Sequence, residues 1–443
     1  MEKAKTLEKT QKNINIIGGG LAGSEASYQL LKRGFSVTMF EMRPNKSTGA
    51  HKTDGLGELV CSNSLKSLDE ATSSGLLKKE LEVLDCLLLR IAHECRVEAG
   101  GALAVDREQF SKTIERELTK YENFKLVREE VTDIDFEVPT IIATGPLTSK
   151  PLAQKLAEMS GDENLFFFDA VAPIVSASSV DMSFAFWGGR YGKGGDDYLN
   201  LPMSKEEYLA FYEVLVGAEC VKLKDFEGKE VFEGCMPIEV MAKRGEDAMR
   251  YGPLKPVGLC DPVTNKRGYA VVQLRKENVA GDALNLVGFQ TNLTFGDQKR
   301  VFQMIPALHD CEFLRYGVMH RNTYLNSPKI LDATFRIKGD AKIYVAGQLS
   351  GVEGYVESIM SGLLAGIALC RELTEKPQIV PPKDTICGEL SRWVQAENGN
   401  FQPMNSNFGL LSPIQMRDKK ERKKEYSKRA LNAIIEFNNL LNS

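Results

Sequence analysis

An α/β fold, in which a nucleotide-binding domain is interrupted by a smaller α+β domain, is predicted by three features of the sequence. The chain opens on a strand, a glycine turn, a helix and a second strand between Asn13 and Glu41. From Phe184 to Leu331 the composition shifts to Gly, Pro and aromatic residues, with turn signals at Gly188-Gly189, Gly194-Gly195, Gly252-Pro253 and Asp261-Pro262. The strand, glycine and helix pattern then returns between Lys342 and Leu373. The implied division is a first part of the nucleotide-binding domain at 13–183, an inserted substrate domain at 184–331, and a second part at 332–443 ending in a basic helical segment.

Element by element, Asn13 to Ile17 is an apolar strand, Gly18 to Gly23 breaks it, Ser24 to Lys32 has helical spacing and Ser36 to Glu41 alternates as a strand. Asp106 to Tyr121 reads as a helix, followed by strands at Phe124 to Val127 and Pro139 to Thr144, the second closed by Gly145-Pro146. Lys342 to Ala346 is the next strand, running through Gly347, Gly351 and Gly354 into a helix at Val356 to Leu373. Its uncharged stretch Ile359 to Cys370 is too short to cross a bilayer and reads as a buried helix. Pro377, Pro381 and Pro382 stiffen the connection to the last helical segment, where Arg417 to Arg429 sets eight Lys or Arg against three acids over thirteen positions.

The 443 residues suffice for two or three domains, each with its own core. With 43% apolar and 26% charged residues, the composition excludes a disordered or fibrous chain. The net charge of −4 requires any phosphate-binding surface to be a local cluster of positive side chains. The first twelve residues are polar and lack the apolar core of a secretory signal, so a cytoplasmic location is expected. Nine cysteines without CxxC pairing fit a reducing compartment, and no zinc or iron–sulfur centre is predicted.

Gly18, Gly20 and Gly23 form G-x-G-x-x-G between a strand and a helix, a context far more specific than the spacing alone. The first glycine permits the tight turn, the second lets backbone approach a pyrophosphate, and the third lets the helix lie close to its strand. The amides that open the helix are then available to phosphate. Glu41, ending the next strand, can accept two ribose hydroxyl hydrogen bonds. Two distant segments favour FAD over a nicotinamide nucleotide, because a flavin dinucleotide needs support at both ends. They are Thr140 to Gly145 and Ile343 to Tyr355, where Gly351 to Tyr355 would begin a helix whose amides hold the flavin pyrimidine edge. The fold class is thus a Rossmann-like FAD-binding domain with an insertion. Its cofactor-binding candidates are Gly18, Gly19, Gly20, Leu21, Ala22, Gly23, Glu41, Arg43, Thr144, Gly145, Gly347, Gly351, Val352, Glu353, Gly354 and Tyr355.

The opening glycine segment with Glu41-Met-Arg-Pro44, together with Leu59-Val-Cys-Ser-Asn-Ser-Leu65, Phe232-Glu-Gly-Cys-Met-Pro237, Gly252-Pro-Leu-Lys-Pro256 and Gly351-Val-Glu-Gly-Tyr355, resembles a flavoprotein family of RNA uridine modifiers. The match is to the TrmFO family of folate- and FAD-dependent tRNA (uracil-5-)-methyltransferases, within the broader GidA-like flavoprotein group. Arg267 to Leu274 and Asn292-Leu-Thr-Phe295 extend the resemblance through the inserted domain, so that it covers nearly the whole chain. It implies methylation of uracil C5 in tRNA, at the T-loop uridine, with 5,10-methylenetetrahydrofolate as one-carbon donor, FAD as the redox group and NADPH or NADH as reductant.

Uracil C5 is too weak a nucleophile to take a one-carbon unit unaided, and a thiolate adding to C6 makes it reactive. Cys61 follows a polar, glycine-containing stretch, and Cys235 sits between Gly234 and Met236-Pro237, whereas Cys86 and Cys370 lie among Leu or Ile residues and read as structural. By resemblance Cys61 and Cys235 are the two functional thiols. The preferred assignment makes Cys235 the C6 nucleophile and places Cys61 close to the flavin, handling the C5 side, with an exchange of roles left open. His51, before Cys61, could contact folate or RNA.

A target uridine must be presented to the cofactor from a folded RNA, which calls for phosphate contacts around a pocket. Lys243, Arg244, Arg250, Lys255, Lys266 and Arg267 supply positive charge near Cys235, and Arg422, Lys423 and Lys424 could extend that footprint. Tyr251, Tyr269 and Tyr355 are stacking candidates. Three alternatives stand beside this reading: the same chemistry on ribosomal RNA, modification of the wobble uridine of tRNA, and an RNA-binding flavoprotein without methyl transfer.

Overall fold

The computed structural model describes residues 13–48, 50–160, 165–192, 195, 197–221, 236–339, 342–397 and 401–442, with the side chains of 160, 165–169, 320 and 321 left aside. Its first body is a five-stranded parallel sheet running, from edge to edge, Ile343–Val345, Thr140–Ile142, Asn13–Ile17, Ser36–Phe40 and Phe124–Val127. The opening strand is central, with Asn13 opposite Ser36 on one side and Asn15 opposite Thr140 on the other. That position explains its run of isoleucines, since a strand paired on both edges and covered on its faces is shielded from water.

The helix Leu21–Leu31 starts directly after Gly20, three residues before the apolar spacing alone indicates, and all of its residues are buried. It packs against Tyr355–Leu373, and small residues permit the close crossing. A Cβ at Gly362 would lie 2.2 Å from Ala22 O, and one at Gly366 3.1 Å from Ala26 O. The apolar stretch within the second helix is therefore core, and among the described residues no helix is long and apolar enough to cross a membrane. The helix expected from Asp106 is present at Arg107–Thr119, with Asp106 as its cap accepting from the Glu108 and Gln109 amides.

The second body is a six-stranded antiparallel sheet in the order Phe186–Trp187, Tyr198–Met203, Ala270–Lys276, Ala283–Leu286, Ile174–Ser176 and Phe313–Arg315. Its strand Ile174–Ser176 precedes the change of composition at Phe184, because pairing with Ala283–Leu286 decides sheet membership. The helix Lys205–Val216 covers this sheet and begins at a capping box between Ser204 and Glu207. An antiparallel pair, Leu165–Ala170 with Met319–Tyr324, carries the chain out to this body and back. The result is an α/β fold with an inserted antiparallel unit.

The C-terminal segment folds back over the helix Ser73–Val83 of the first body. Ser427 on the helix Lys419–Asn442 donates to Glu70 O at 2.5 Å. Glu80, fully buried, accepts from the Ile386 and Cys387 amides at 2.8 Å each, so its carboxylate caps the helix Ile386–Trp393. Burial pushes the Glu80 carboxyl up to about 7 against the opposing effect of those two amides. The folded protein therefore holds this proton more tightly than the unfolded chain. The associated stability is complete below the ordinary value of 4.5 and is lost as pH rises through about 7. Urea unfolding at pH 5 and pH 8 should show wild type losing about 3 kcal/mol relative to Glu80→Gln over that interval. An identical pH slope in the two proteins would contradict the assignment.

Candidate active site

A cleft of about 1000 Å³ opens above the carboxyl ends of the parallel strands, lined by Gly18, Gly20, Leu21, Ala22, Glu41, Arg43, Thr144, Gly145, Gly347 and Tyr355 among others. Residues from the opening segment, the 140s and the 340s to 350s are thus brought to one place, as a dinucleotide bound across a parallel sheet requires. Gly18 adopts φ +106°, and a Cβ there would lie 2.5 Å from Ala143 O. At Gly23 a Cβ would lie 2.0 Å from Gly18 O. At Gly20 a Cβ would meet no protein atom within 4 Å, so this cradle of backbone is one that a side chain would fill. The helix ladder starts with Ser24 N to Gly20 O at 2.9 Å, which leaves the preceding amides to a ligand. These features fit a pyrophosphate.

Glu41 is buried beside this turn. One carboxylate oxygen accepts from Gly19 N at 2.9 Å, and the other from Arg43 N at 3.0 Å and Arg43 Nε at 2.8 Å. Burial alone would raise its pKa, but the Arg43 hydrogen bond and charge outweigh it and hold the carboxyl below its ordinary value. An ionised Glu41 is the acceptor that ribose hydroxyls need, and Arg43 is fixed by a second carboxylate, Glu58, at 2.8 Å. Thr144 Oγ1 lies 2.6 Å from Thr148 Oγ1, which bonds Gly145 O, so this turn is braced from within.

The 347–355 segment divides. Gly347 and Tyr355 line the cleft, whereas Val352 is fully buried and pairs with Met404 in a parallel bridge. The amides of Gly351 and Glu353 donate to Gln348 O at 3.0 Å and Met404 O at 2.8 Å. They are held by the protein, and the helix begins at Tyr355 with Gly354, φ +119°, as its cap.

Cys61 lies on a half-buried loop next to Val60, which lines the cleft. Its backbone N–H donates to Tyr355 Oη at 2.7 Å, and its Sγ is 3.9 Å from Ala170 O. Two arginines take the loop carbonyls. Arg107 donates to Leu59 O and, at 2.9 Å, to Cys61 O, while Arg315 from the second body donates to Val60 O at 2.7 Å. Glu277, also from the second body, accepts from Arg107 Nε at 2.6 Å. Burial opposes the Arg107 charge, but Glu277 outweighs it and raises the guanidinium pKa. Arg315 is depressed, first by burial and then by Arg107. Asn63 completes the clamp, donating to Val105 O, Lys276 O and Glu277 O and accepting from Arg275 Nε at 3.1 Å.

Sequence reasoning missed Arg107, Glu277 and Arg315. Asn63 stood in a quoted segment, but the other three are far apart in the chain and no spacing connects them. Cys235 lies outside the described residues. Lys243 and Arg244 are exposed after the short helix Ile238–Ala242, and Lys255, Lys266 and Arg267 are exposed on the same body. Arg250 is half-buried, paired with Asp247 at 2.9 Å, its guanidinium 3.9 Å from the Tyr269 ring centre. Lys423 and Lys424 are exposed and Arg422 half-buried on Lys419–Asn442, against the other body, with Lys424 paired to Glu421 at 2.7 Å. His51 lines the cleft, its Nδ1 2.7 Å from Thr48 Oγ1.

The family model for glucose inhibited division protein A matches residues 13–377. A methylenetetrahydrofolate–tRNA-(uracil-5-)-methyltransferase, TrmFO, of Natranaerobius thermophilus is 51% identical over 426 residues, spanning 96% of this chain and 98% of its own. The TrmFO of Acetivibrio thermocellus is 52% identical over 427 residues, with the same shares covered. That of Bacillus subtilis strain 168 is 51% identical over 427 residues, again covering 96% and 98%. Among solved structures, GidA of Aquifex aeolicus in its form II crystal superposes with a TM-score of 0.69 at 15% identity, covering 96% of this chain and 74% of its own, a likeness of fold.

The Arg107–Glu277 pair supports a specific expectation. Arg107→Met strands a buried carboxylate and should cost about 3–5 kcal/mol in urea unfolding, and adding Glu277→Met should recover most of it. A single variant as stable as wild type would show that the pair does not hold the two bodies together.

Proposed function

The chain belongs to the glucose inhibited division protein A family and, within it, to the TrmFO methylenetetrahydrofolate–tRNA-(uracil-5-)-methyltransferases, and from that premise we propose how its residues perform the reaction. It is an enzyme that methylates uracil C5 in tRNA with a folate one-carbon donor and FAD. The observation that carries this reading is identity above half the residues along almost the full length of both chains.

The cofactor is held by the Gly18–Gly23 turn at its pyrophosphate and by Glu41 at its ribose, with Thr144, Gly145, Gly347 and Tyr355 around the rest of the cleft. When bound, FAD supplies a ring that can be reduced, carry a one-carbon unit and deliver hydride. NADPH or NADH is the reductant.

Cys235 is the thiol that adds to uracil C6. The new S–C6 bond shifts the C5–C6 electron pair toward the C4 carbonyl oxygen, and C5 becomes the nucleophile for the one-carbon unit. The C5 proton must then pass to a base as the bond between the one-carbon unit and its carrier breaks; a hydride adds to the resulting C5 methylene to make the methyl group, and the thiolate is expelled as the C5–C6 double bond returns. Cys61 serves the C5 side, and its anchorage to Tyr355 at the cleft wall supports this. Holding that loop by Arg107, Arg315 and Asn63 reduces the conformational search the thiol must make.

The division of labour follows the chain. The parallel-sheet body holds the cofactor, and the inserted antiparallel body, whose sheet already includes Ile174–Ser176, presents the RNA. Lys243, Arg244, Arg250, Lys255, Lys266 and Arg267 form the main phosphate-binding surface, Arg422, Lys423 and Lys424 extend it, and the target is the T-loop uridine. Nine cysteines without CxxC pairing fit a reducing cytoplasm.

Labelled methylenetetrahydrofolate, tested with separate tRNA and ribosomal RNA, should label tRNA. Cys61→Ala and Cys235→Ala should each lower that rate by about 10³-fold or more while retaining flavin. Unchanged rates would remove both thiols from the mechanism, and label in ribosomal RNA alone would reassign the substrate. Gly20→Val, whose Cβ meets no protein atom within 4 Å, should fold with the melting temperature of flavin-free wild type yet purify without flavin. Retained flavin absorbance in that variant would refute the cradle.

A further inference from the structure

Three rings stack on the inserted body. Phe313 and Tyr316 are 5.0 Å apart at 11°, and Tyr316 and Phe295 are 4.9 Å apart at 19°. Tyr316 is sandwiched, while Phe295 at the end of the stack is 55% exposed. It is the first residue of the helix Phe295–Phe302, whose other end, Val301 and Phe302, is fully buried.

The stack adjoins the Cys61 loop and the described residues Val221 and Ile238. Arg315, between Leu314 and Tyr316, bonds Val60 O beside Cys61. After Tyr316, a Cβ at Gly317 would lie 2.6 Å from both Val171 O and Thr291 Cγ2, and Ala170 O is the atom that Cys61 Sγ approaches. On the other side, Val221 N donates to Asn292 O at 2.8 Å and Ile238 N to Gln290 O at 2.7 Å. The described chain flanking Cys235 is therefore anchored beside residues 290–292, next to Phe295.

Its surroundings carry both charges, with Glu219 and Glu312 exposed among them. Lys299, one helical turn from Phe295, and Arg300 are exposed, as is Lys243. The one acid of that helix, Asp297, is engaged by Arg300 at 2.9 Å and by the Glu219 amide. An exposed ring flanked by cations matches the way proteins hold unpaired bases, ring on ring with phosphates on the basic rim.

We propose that the Phe295–Tyr316–Phe313 stack is a platform for an unpaired RNA base flanking the target uridine, which it holds while the uridine enters the cleft. This rests on the RNA-methyltransferase reading above. Stacking on Phe295 adds a flat partner to a column already ordered by Tyr316, so little side-chain freedom is lost on binding.

The test uses the full-length holoenzyme and tRNA transcripts in which each nucleotide flanking the methylated uridine is replaced singly by an abasic residue. Flavin content and melting temperature confirm the fold of each variant. Phe295→Ala should raise the Kd for RNA by about 5- to 150-fold, and Phe295→Trp should restore it. One abasic substitution should weaken wild type comparably and have no further effect on Phe295→Ala. Wild-type RNA affinity in Phe295→Ala would overturn the proposal, as would a raised KM for methylenetetrahydrofolate alone, which would assign the stack to the pterin ring. A wild type that methylates RNA while Phe295→Ala does so equally well defeats only the platform. A wild type that binds no RNA defeats the parent reading as well.

Discussion

The geometry around Cys61 depends on a loop whose backbone carbonyls are held by guanidinium groups from two separately built bodies. Arg107 comes from a helix of the nucleotide-binding body and Arg315 from an edge strand of the inserted one. Neither charge could remain buried there without a counter-charge, and Glu277 provides it from across the boundary. The position of the thiol is thus a property of the docked pair of bodies. The arrangement couples the inserted body to the Cys61 loop.

The nucleotide-binding body supplies a rigid floor for that arrangement. Its central strand is paired on both sides, and its two long helices approach closely because Gly362 and Gly366 face Ala22 and Ala26. The same close packing that excludes a side chain at Gly23 leaves backbone amides presented at the mouth of the cleft. Packing and cofactor recognition are two consequences of one set of small residues. Glu41 ties the glycine turn to Arg43, whose hydrogen bond and charge hold its carboxyl below the ordinary value against burial.

The inserted body is built on a different principle. Its antiparallel sheet buries one continuous apolar cluster and sends the ends of its strands toward the first body, where Lys276 and Glu277 meet Asn63. Its helices and loops carry the exposed cations and aromatic rings. A stable sheet with a polar periphery suits a partner that is large, charged and read mainly by shape.

Much of this was legible in one dimension because local spacing enforces it. The glycine motif, the Asp106 cap and the strand at Phe124–Val127 follow from contacts within a few residues, and the family segments led to the expectation of Cys61 near the cofactor, where its neighbour Val60 lines the cleft. Pairing was not legible. Ile174–Ser176 joins the inserted sheet because of a partner more than a hundred residues away, and Gly351 and Glu353 give their amides to neighbours that propensity does not reveal. The sequence by itself determined the dinucleotide cradle, the interrupted architecture and the residue types that the chemistry needs. Only the tertiary structure decided which arginines and which carboxylate surround the Cys61 loop, because charges buried together are selected by three-dimensional proximity and leave no periodic trace in the chain.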